Sequence, residues 1–391
     1  MRFRDDLNAL AGKARRKVFA ACRDDADIVV TTDPTHVGYL CGYRSVLLDA
    51  DRTYRCAAVV SRDDAILVTG ASDAAPALEV LRDPARIYRY GVFYVEASSE
   101  SLDCSAMPKA ESTFLDALIA AVKSMLRPGH RVGLDCPNEL NTQGVTTKLD
   151  GNCFDARPCI LEARHTKLPE EIDKMRHAAN ITERGMASAF RHAKEGVTEV
   201  ELSTIISSEI ISGGGIPRFV VVTCGERSAL ADAYATPTRL ANGDLLRVDV
   251  GCTVDGYWAD TARTAVVGEP SRLQQQRYAA LLAGEQAQLD IVRPWITAAD
   301  LFKVAVDGVR SGALPNYRRS HCGHGLGLSA HEFPTLNASN QHVAIVPGMV
   351  LCVETPYYEL GWGGMMVEDI IVVQETGIER LTALPRELRS V

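Results

Sequence analysis

The sequence predicts an α+β chain of two domains, and three observations carry that reading. Its 391 residues exceed one ordinary core. Helical and strand-like patterns alternate through the first half. From Arg218 onward, strand-like runs joined by glycine-bearing turns take over. With 46% hydrophobic and 24% charged residues, the chain has apolar material for two cores.

Residues 4–23 have a basic amphipathic pattern and predict the first helix, and residues 27–32 predict a strand. DPTHVGYLCGY (33–43) predicts a turn into an aromatic-bearing segment; Tyr39, Tyr43 and Arg44 there are candidates to reach a cleft, with packing as their plainer role. CAAVVS and AILVTG predict neighbouring strands, 110–126 a helix, and RVGLDC (131–136) a strand. Such alternation implies a mixed sheet covered by helices. This half lacks the density of acids, histidines and glycines expected of an active site, which suggests a substrate-gating or oligomerisation role. The join falls between 157 and 168, giving domains 1–160 and 168–391. Past it, Pro169 and the acids after it open one helix, and Thr198 with Glu201 forms a capping box for a second.

The formal net charge of −8 argues against a nucleic-acid or anionic-membrane partner. No 18-residue apolar stretch occurs, and the N-terminus lacks a secretory apolar run. Eleven scattered cysteines without a CxxC pair read as reduced thiols, and the expected location is the cytoplasm.

Three segments carry the chemistry. In LLRVDVGCTVDGYWADTART (245–264), Asp255-Gly256 signals a two-residue hairpin loop. That register pairs 260 with 251 and makes Asp249 a same-face diagonal neighbour of Asp260. Each aspartate alone reads as a solvated acid; apolar neighbours at 245, 246, 248, 250 and 258 argue otherwise for the pair. HCGHGLGLSAHEFP (321–334) places His324 and His331 in a glycine-rich run that permits close backbone approach. In VETPYYELGWGGMMVED (353–369), a turn near Gly361 sets Glu354 opposite Glu368. Four acids and one imidazole converging in an apolar setting point to two divalent cations: Mn²⁺, Co²⁺, Zn²⁺ or Fe²⁺.

These segments resemble the pita-bread metallohydrolases, the family of methionine aminopeptidase, aminopeptidase P, prolidase and creatinase, with Xaa-Pro dipeptidase-like bacterial members nearest. The resemblance covers nearly the whole chain, with RHTKLPEEIDKMRHAA resembling the link between domains. It implies a creatinase-like N-terminal mixed α/β domain followed by a C-terminal pita-bread catalytic domain. It further implies Asp249, Asp260, His324, Glu354 and Glu368 as metal ligands, with Asp260 and Glu368 bridging. His331 would meet the substrate carbonyl, and Glu354 would take the proton of the attacking water. A homodimer is expected by the same resemblance.

Two departures stand out. Asp232 occupies the place of a family histidine, so it is a third candidate catalytic residue, either pairing with a cationic substrate group or donating a proton. Met366 stands where prolidase relatives carry arginine, which implies a less polar pocket lining. The leading expectation is a hydrolase of Xaa-Pro dipeptides or short peptides. The departures motivate an alternative, a metal-dependent hydrolase or lyase of a non-peptide small molecule on the same fold. A catalytically silent binding module should have lost ligands, and none is missing here.

Overall fold

The computed structural model describes residues 4–23, 25–51, 53–95, 106–136, 146 and 152–391. Its contacts divide the chain into two compact units, Met1–Arg164 and His165–Val391.

In the first unit, α1 (Asp5–Ala21) precedes β1 (Ile28–Thr31). Residues 33–43 form a helix, α2 (Pro34–Cys41), and not the expected turn. The reason is capping: Asp33 accepts from Thr35 N, Pro34 takes the first helical position, and Gly42 at φ 72° ends the helix. A short α3 (Val46–Ala50) leads to β2 (Ala57–Val60) and β3 (Ala65–Gly70), then α4 (Ala74–Leu81) and β4 (Ile87–Tyr90). The expected helix at 110–126 starts later, as α5 (Phe114–Met125), because Thr113 caps it by accepting from Asp116 N. β5 (Val132–Asp135), β6 (Cys153–Asp155) and α6 (Arg157–His165) follow. The six strands order as β4-β3-β2-β1-β5-β6, a mixed sheet whose apolar face packs against α5. Tyr39 and Tyr43 are buried, Tyr43 donating its hydroxyl to Asp73, so both serve packing in this unit.

The second unit opens with α7 (Pro169–His192) and α8 (Glu199–Ser212), the latter capped by the reciprocal Thr198–Glu201 pair. β7 (Ile216–Cys224), β8 (Leu245–Val254) and β9 (Tyr257–Val266) are joined by antiparallel pairing. Two helices then interrupt what read as strands only, α9 (Arg272–Ile291) and α10 (Ala298–Arg310). Their signals were local: Ser271 with Gln274, and Thr297 with Asp300, are capping boxes. β10 (Gly323–Gly325), β11 (Glu332–Thr335), β12 (Val350–Glu354), β13 (Tyr357–Glu359), β14 (Gly363–Met365), β15 (Glu368–Val373), β16 (Ile378–Arg380) and β17 (Arg389–Ser390) complete the chain.

The main sheet runs β11-β10-β12-β15-β9-β8-β7, with β16 on β15 and β17 on β9. α7 packs on β8 and β9, where Thr182 donates to Cys252 Sγ. Apolar side chains of α9 and α10 form a core with Leu245, Val266, Met365 and Val367. The alternation of the strands therefore turns Val248, Val250 and Cys252 toward α7 and Asp249 to the opposite face. Beneath the sheet centre, fully buried Arg263 donates to Glu368 O, Leu384 O and Asp369 Oδ1, tying β9 to β15. Ten cysteines are free thiols; Cys104 lies outside the described residues. No described helix is long and apolar enough to cross a membrane.

Candidate active site

The β8–β9 hairpin turns at Asp255 (φ 48°) and Gly256 (φ 81°), as a primed two-residue turn demands. Lys174 Nζ sits 2.7 Å from Asp255 Oδ2 and holds the turn against α7. The register pairs Gly251 with Asp260 and Asp249 with Ala262, as the hairpin signal implied. Gly251 cannot be larger, because a Cβ there would lie 2.2 Å from the Phe219 ring that walls the site. On the neighbouring strands Glu354 pairs directly with Glu368, and the β13–β14 ribbon continues that hairpin around Gly361.

β10 places His324 opposite Cys352 of β12. Gly323 has φ 132° and its absent Cβ would fall 2.3 Å from Cys352 O, so the close strand approach excludes any side chain. His324 Nδ1 is 3.0 Å from Gly325 O. Donation there leaves the Nε2 lone pair free, and Nε2 faces Asp260 Oδ2 and Glu368 Oε1, each at 3.9 Å.

Ligand atoms of Asp260, His324, Glu368 and Cys352 lie within 4.8 Å of one another, all in buried residues. Asp249 and Glu354 stand outside that tightest group but line the same cavity of about 750 Å³. Glu368 Oε2 is buried without a hydrogen-bond partner.

The electrostatics follow from crowding. Burial pushes Asp260 and Glu368 well above the usual carboxylate range, and the neighbouring acids push further. Burial lifts Asp249 to about 7 against the Arg247 guanidinium, with Glu354 and Asp232 adding to the rise. Glu354 goes the other way: burial opposes ionisation, but His321, His324 and Arg319 outweigh it and hold the group below its ordinary value. Burial lowers His324 to about 4 and lowers His331 as well. Carboxylates that resist ionisation, an orphaned buried oxygen and a neutral imidazole aimed at them fit divalent cations with oxygen-rich coordination.

His331 stacks on His324 with ring centroids 3.9 Å apart. Its turn is fixed by Glu332, which accepts from Leu328 N (2.7 Å) and Ser329 N (3.1 Å), while Lys167 Nζ holds its other oxygen at 3.2 Å. Asp232 follows the 3-10 turn Gly225–Ala229 and is exposed on the cavity wall. Fully buried Arg247 secures that loop, donating to Ser228 O (2.9 Å), Leu230 O (2.7 Å) and Ala231 O (2.6 Å) while reaching Asp249 at 3.3 Å. Met366 is a buried lining residue whose sulfur accepts from Tyr358 Oη at 3.7 Å.

Several site residues went unassigned in the sequence. His321 Nδ1 lies 3.0 Å from Glu354 Oε1, and its place in the HCGH run was the available signal. Cys352 shares the face of Glu354, two residues on, a spacing that marks a strand face. Arg247 and Arg319 had no pattern to reveal them.

The model of metallopeptidase family M24 matches residues 173–375, just over half of the chain. An Xaa-Pro dipeptidase of Pyrococcus furiosus is 31% identical over 231 residues, 59% of this chain and 66% of that protein. The aligned stretch thus spans slightly under two thirds of that relative's length. A probable dipeptidase PepE of Mycobacterium tuberculosis is 33% identical over 60% of this chain and 62% of its own length. Among solved structures, dipeptidase PepE from Mycobacterium ulcerans superposes with a TM-score of 0.78 at 24% identity, covering 100% of both chains. The Xaa-Pro dipeptidase from Bacillus anthracis gives 0.79 at 22% identity, over 97% of this chain and 100% of the other. These likenesses establish the pita-bread fold, and by its sequence the chain belongs to metallopeptidase family M24.

Proposed function

We propose that this protein is a dinuclear-metal peptidase that hydrolyses the Xaa-Pro bond of dipeptides or short peptides. The observation that carries the reading is the meeting of Asp260, His324 and Glu368 within 4.8 Å, in a cavity also lined by Asp249 and Glu354. These five would hold two divalent ions, and Mn²⁺ is the proposed resident metal. When bound, the ions supply Lewis acidity toward the scissile carbonyl and make water acidic near neutral pH.

The chain's own residues supply the remaining steps. Glu354, held below its ordinary value by the hydrogen bond from His321 and by its other neighbours, accepts the proton of the attacking water and passes it to the leaving nitrogen. His331, kept neutral by burial, donates its N–H to the carbonyl oxygen as charge develops there. Asp232, exposed on the wall, pairs with a cationic group of the substrate, the α-amine of a short peptide. Relatives named as Xaa-Pro dipeptidases favour a peptide over the non-peptide alternative. A cytoplasmic homodimer, with residues 1–160 gating or assembling and 168–391 performing the chemistry, completes the proposal; its support is the family resemblance and the free thiols.

The test is the full chain purified without chelator, loaded with Mn²⁺ or Co²⁺ and assayed on a panel of Xaa-Pro dipeptides. Hydrolysis that stops on chelation and returns with metal is expected; a loaded enzyme inert on the whole panel contradicts the proposal.

A further inference from the structure

We infer that Cys352 is a metal ligand: with Asp260, His324 and Glu368 it forms a four-donor site for one thiophilic ion, zinc or cobalt. The inference rests on the metal-centre reading above and adds to it a sulfur donor that manganese does not use.

The strand register puts the thiol on the ligand face. Directly paired residues of an antiparallel sheet share a face, and so do residues two apart on one strand. Cys352 pairs with His324 of β10 on one side and with Ile370 of β15 on the other. Glu354 lies two residues further along β12, and Glu368 lies two residues before Ile370. Asp260 joins the same face through the pairing of Glu368 with Ala262. Cys352 is fully enclosed, and its Sγ lies 3.6 Å from Asp260 O.

A cysteine buried for packing keeps other company. Cys252, on the face of β8 opposite to Asp249, accepts from Thr182 at 3.1 Å and donates to Ala178 O at 3.5 Å. Among the described residues, Cys352 is the one cysteine grouped with acids and an imidazole at ligand spacing. A second observation points to a ligand at the same place. Glu368, 1% exposed, has an Oε2 without a hydrogen-bond partner, and it is the diagonal neighbour of Cys352 across the β12–β15 pairing.

The distances suit one ion. The four ligand atoms lie within 4.8 Å of one another, and His324 Nε2 is 3.9 Å from both Asp260 Oδ2 and Glu368 Oε1. Zinc takes sulfur at about 2.3 Å and nitrogen or oxygen at about 2.0–2.2 Å, so its donors stand roughly 3.5–4.3 Å apart. A small closure by side-chain rotation therefore completes the shell. One sulfur, one nitrogen and two carboxylates make a four-coordinate set that suits zinc and cobalt, whereas manganese favours harder donors. Binding breaks the S–H bond: the sulfur lone pair goes to the ion and the proton leaves to buffer. Asp260 and Glu368 serve both arrangements, so a thiolate-bound ion competes with a manganese pair for the same acids.

The experiment titrates chelator-stripped full-length protein with Co²⁺ and follows absorbance, for wild type, Cys352→Ser and Cys352→Thr. Wild type should develop a near-ultraviolet sulfur-to-cobalt charge-transfer band that saturates at one ion per chain. Both variants should lose the band. Zinc affinity, read by competition with a chromophoric chelator, should fall at least about 10-fold in Cys352→Ser, the scale for losing even a supporting group. Manganese affinity should be unchanged in the same variant. Cobalt bound without the band, or a band that persists in both variants, overturns the inference and leaves the dinuclear centre standing. Failure of cobalt and manganese alike to bind overturns it together with the metal-centre reading. Melting curves show whether the variants fold. If neither does, X-ray absorption of wild type loaded with one equivalent of zinc decides: sulfur scattering at about 2.3 Å supports the ligand, and its absence overturns it.

Discussion

The two units each bury a knot of charged residues, and the two knots are built on opposite principles. In the first, Asp135 is fully enclosed, yet His36 Nδ1 lies 2.5 Å from its Oδ2, Thr31 donates to it at 2.6 Å and Arg157 at 2.9 Å. Arg164 closes the chain against His36 Nε2 at 2.7 Å. Burial raises the Asp135 carboxyl, but these partners outweigh it and hold the group below its ordinary value. In the second unit, Asp260 and Glu368 find other acids where Asp135 finds hydrogen-bond partners and the Arg157 guanidinium, and their carboxyls rise instead. Paired buried charge completes itself with protein groups, whereas unpaired buried charge of one sign calls for a partner from outside the chain. The contrast separates a structural network from a binding site without reference to any relative.

The largest effect should follow removal of a member of the second knot. Asp260→Ala or His324→Ala should abolish metal retention and reduce peptide hydrolysis to background, read by elemental analysis beside kinetics. His331→Ala should keep the metal and lose about 10²- to 10³-fold in kcat, since it removes a donor to the developing oxyanion; loss of metal in that variant would contradict its assigned role. Disrupting the first knot should act on stability alone. Asp135→Ala leaves buried His36 and Thr31 without the carboxylate they bond and should cost about 3–5 kcal/mol in a urea melt, with kcat per folded molecule unchanged.

The smallest effect is a pH dependence that changes sign with the metal. In chelated protein, Asp249, Asp260 and Glu368 have folded pKa values above those of the unfolded chain. Stability from such groups is complete below the unfolded carboxylate range and is lost as pH rises toward the folded values, about 7 for Asp249. His324, depressed to about 4, and His331, also depressed by burial, oppose this between their folded and unfolded values, two groups against three. Chelated protein should therefore melt lower at pH 7.5 than at pH 5, on the order of 5 °C. Metal-loaded protein should show the reverse, because binding requires the deprotonated acids.

How much of this was legible in the sequence depended on whether a local rule governed the residue. Asp255-Gly256 set the β8–β9 register and hence the Asp249–Asp260 relation, since a two-residue loop leaves one pairing. Gly361 did the same for Glu354 and Glu368. The helix at Pro34–Cys41 departs from the turn expected over 33–43, although Asp33 and Pro34 supply its cap and first residue. α9 and α10 were missed because their surroundings read as strands, in spite of their capping boxes. Arg247, Arg263 and Arg319 were invisible for a different reason: the partners of an arginine are set by tertiary approach of distant carbonyls and rings, and no periodicity encodes them.

The central claim is that the acid cluster of the second unit is completed by divalent cations. Calorimetric titration of chelator-stripped full-length protein with Mn²⁺, run in two buffers of different ionisation enthalpy, tests it most directly. Two ions should bind per chain, with protons released on binding as Asp249, Asp260 and Glu368 deprotonate. Saturation without bound metal, or binding that releases no protons and is unaffected by Asp260→Ala, would contradict it.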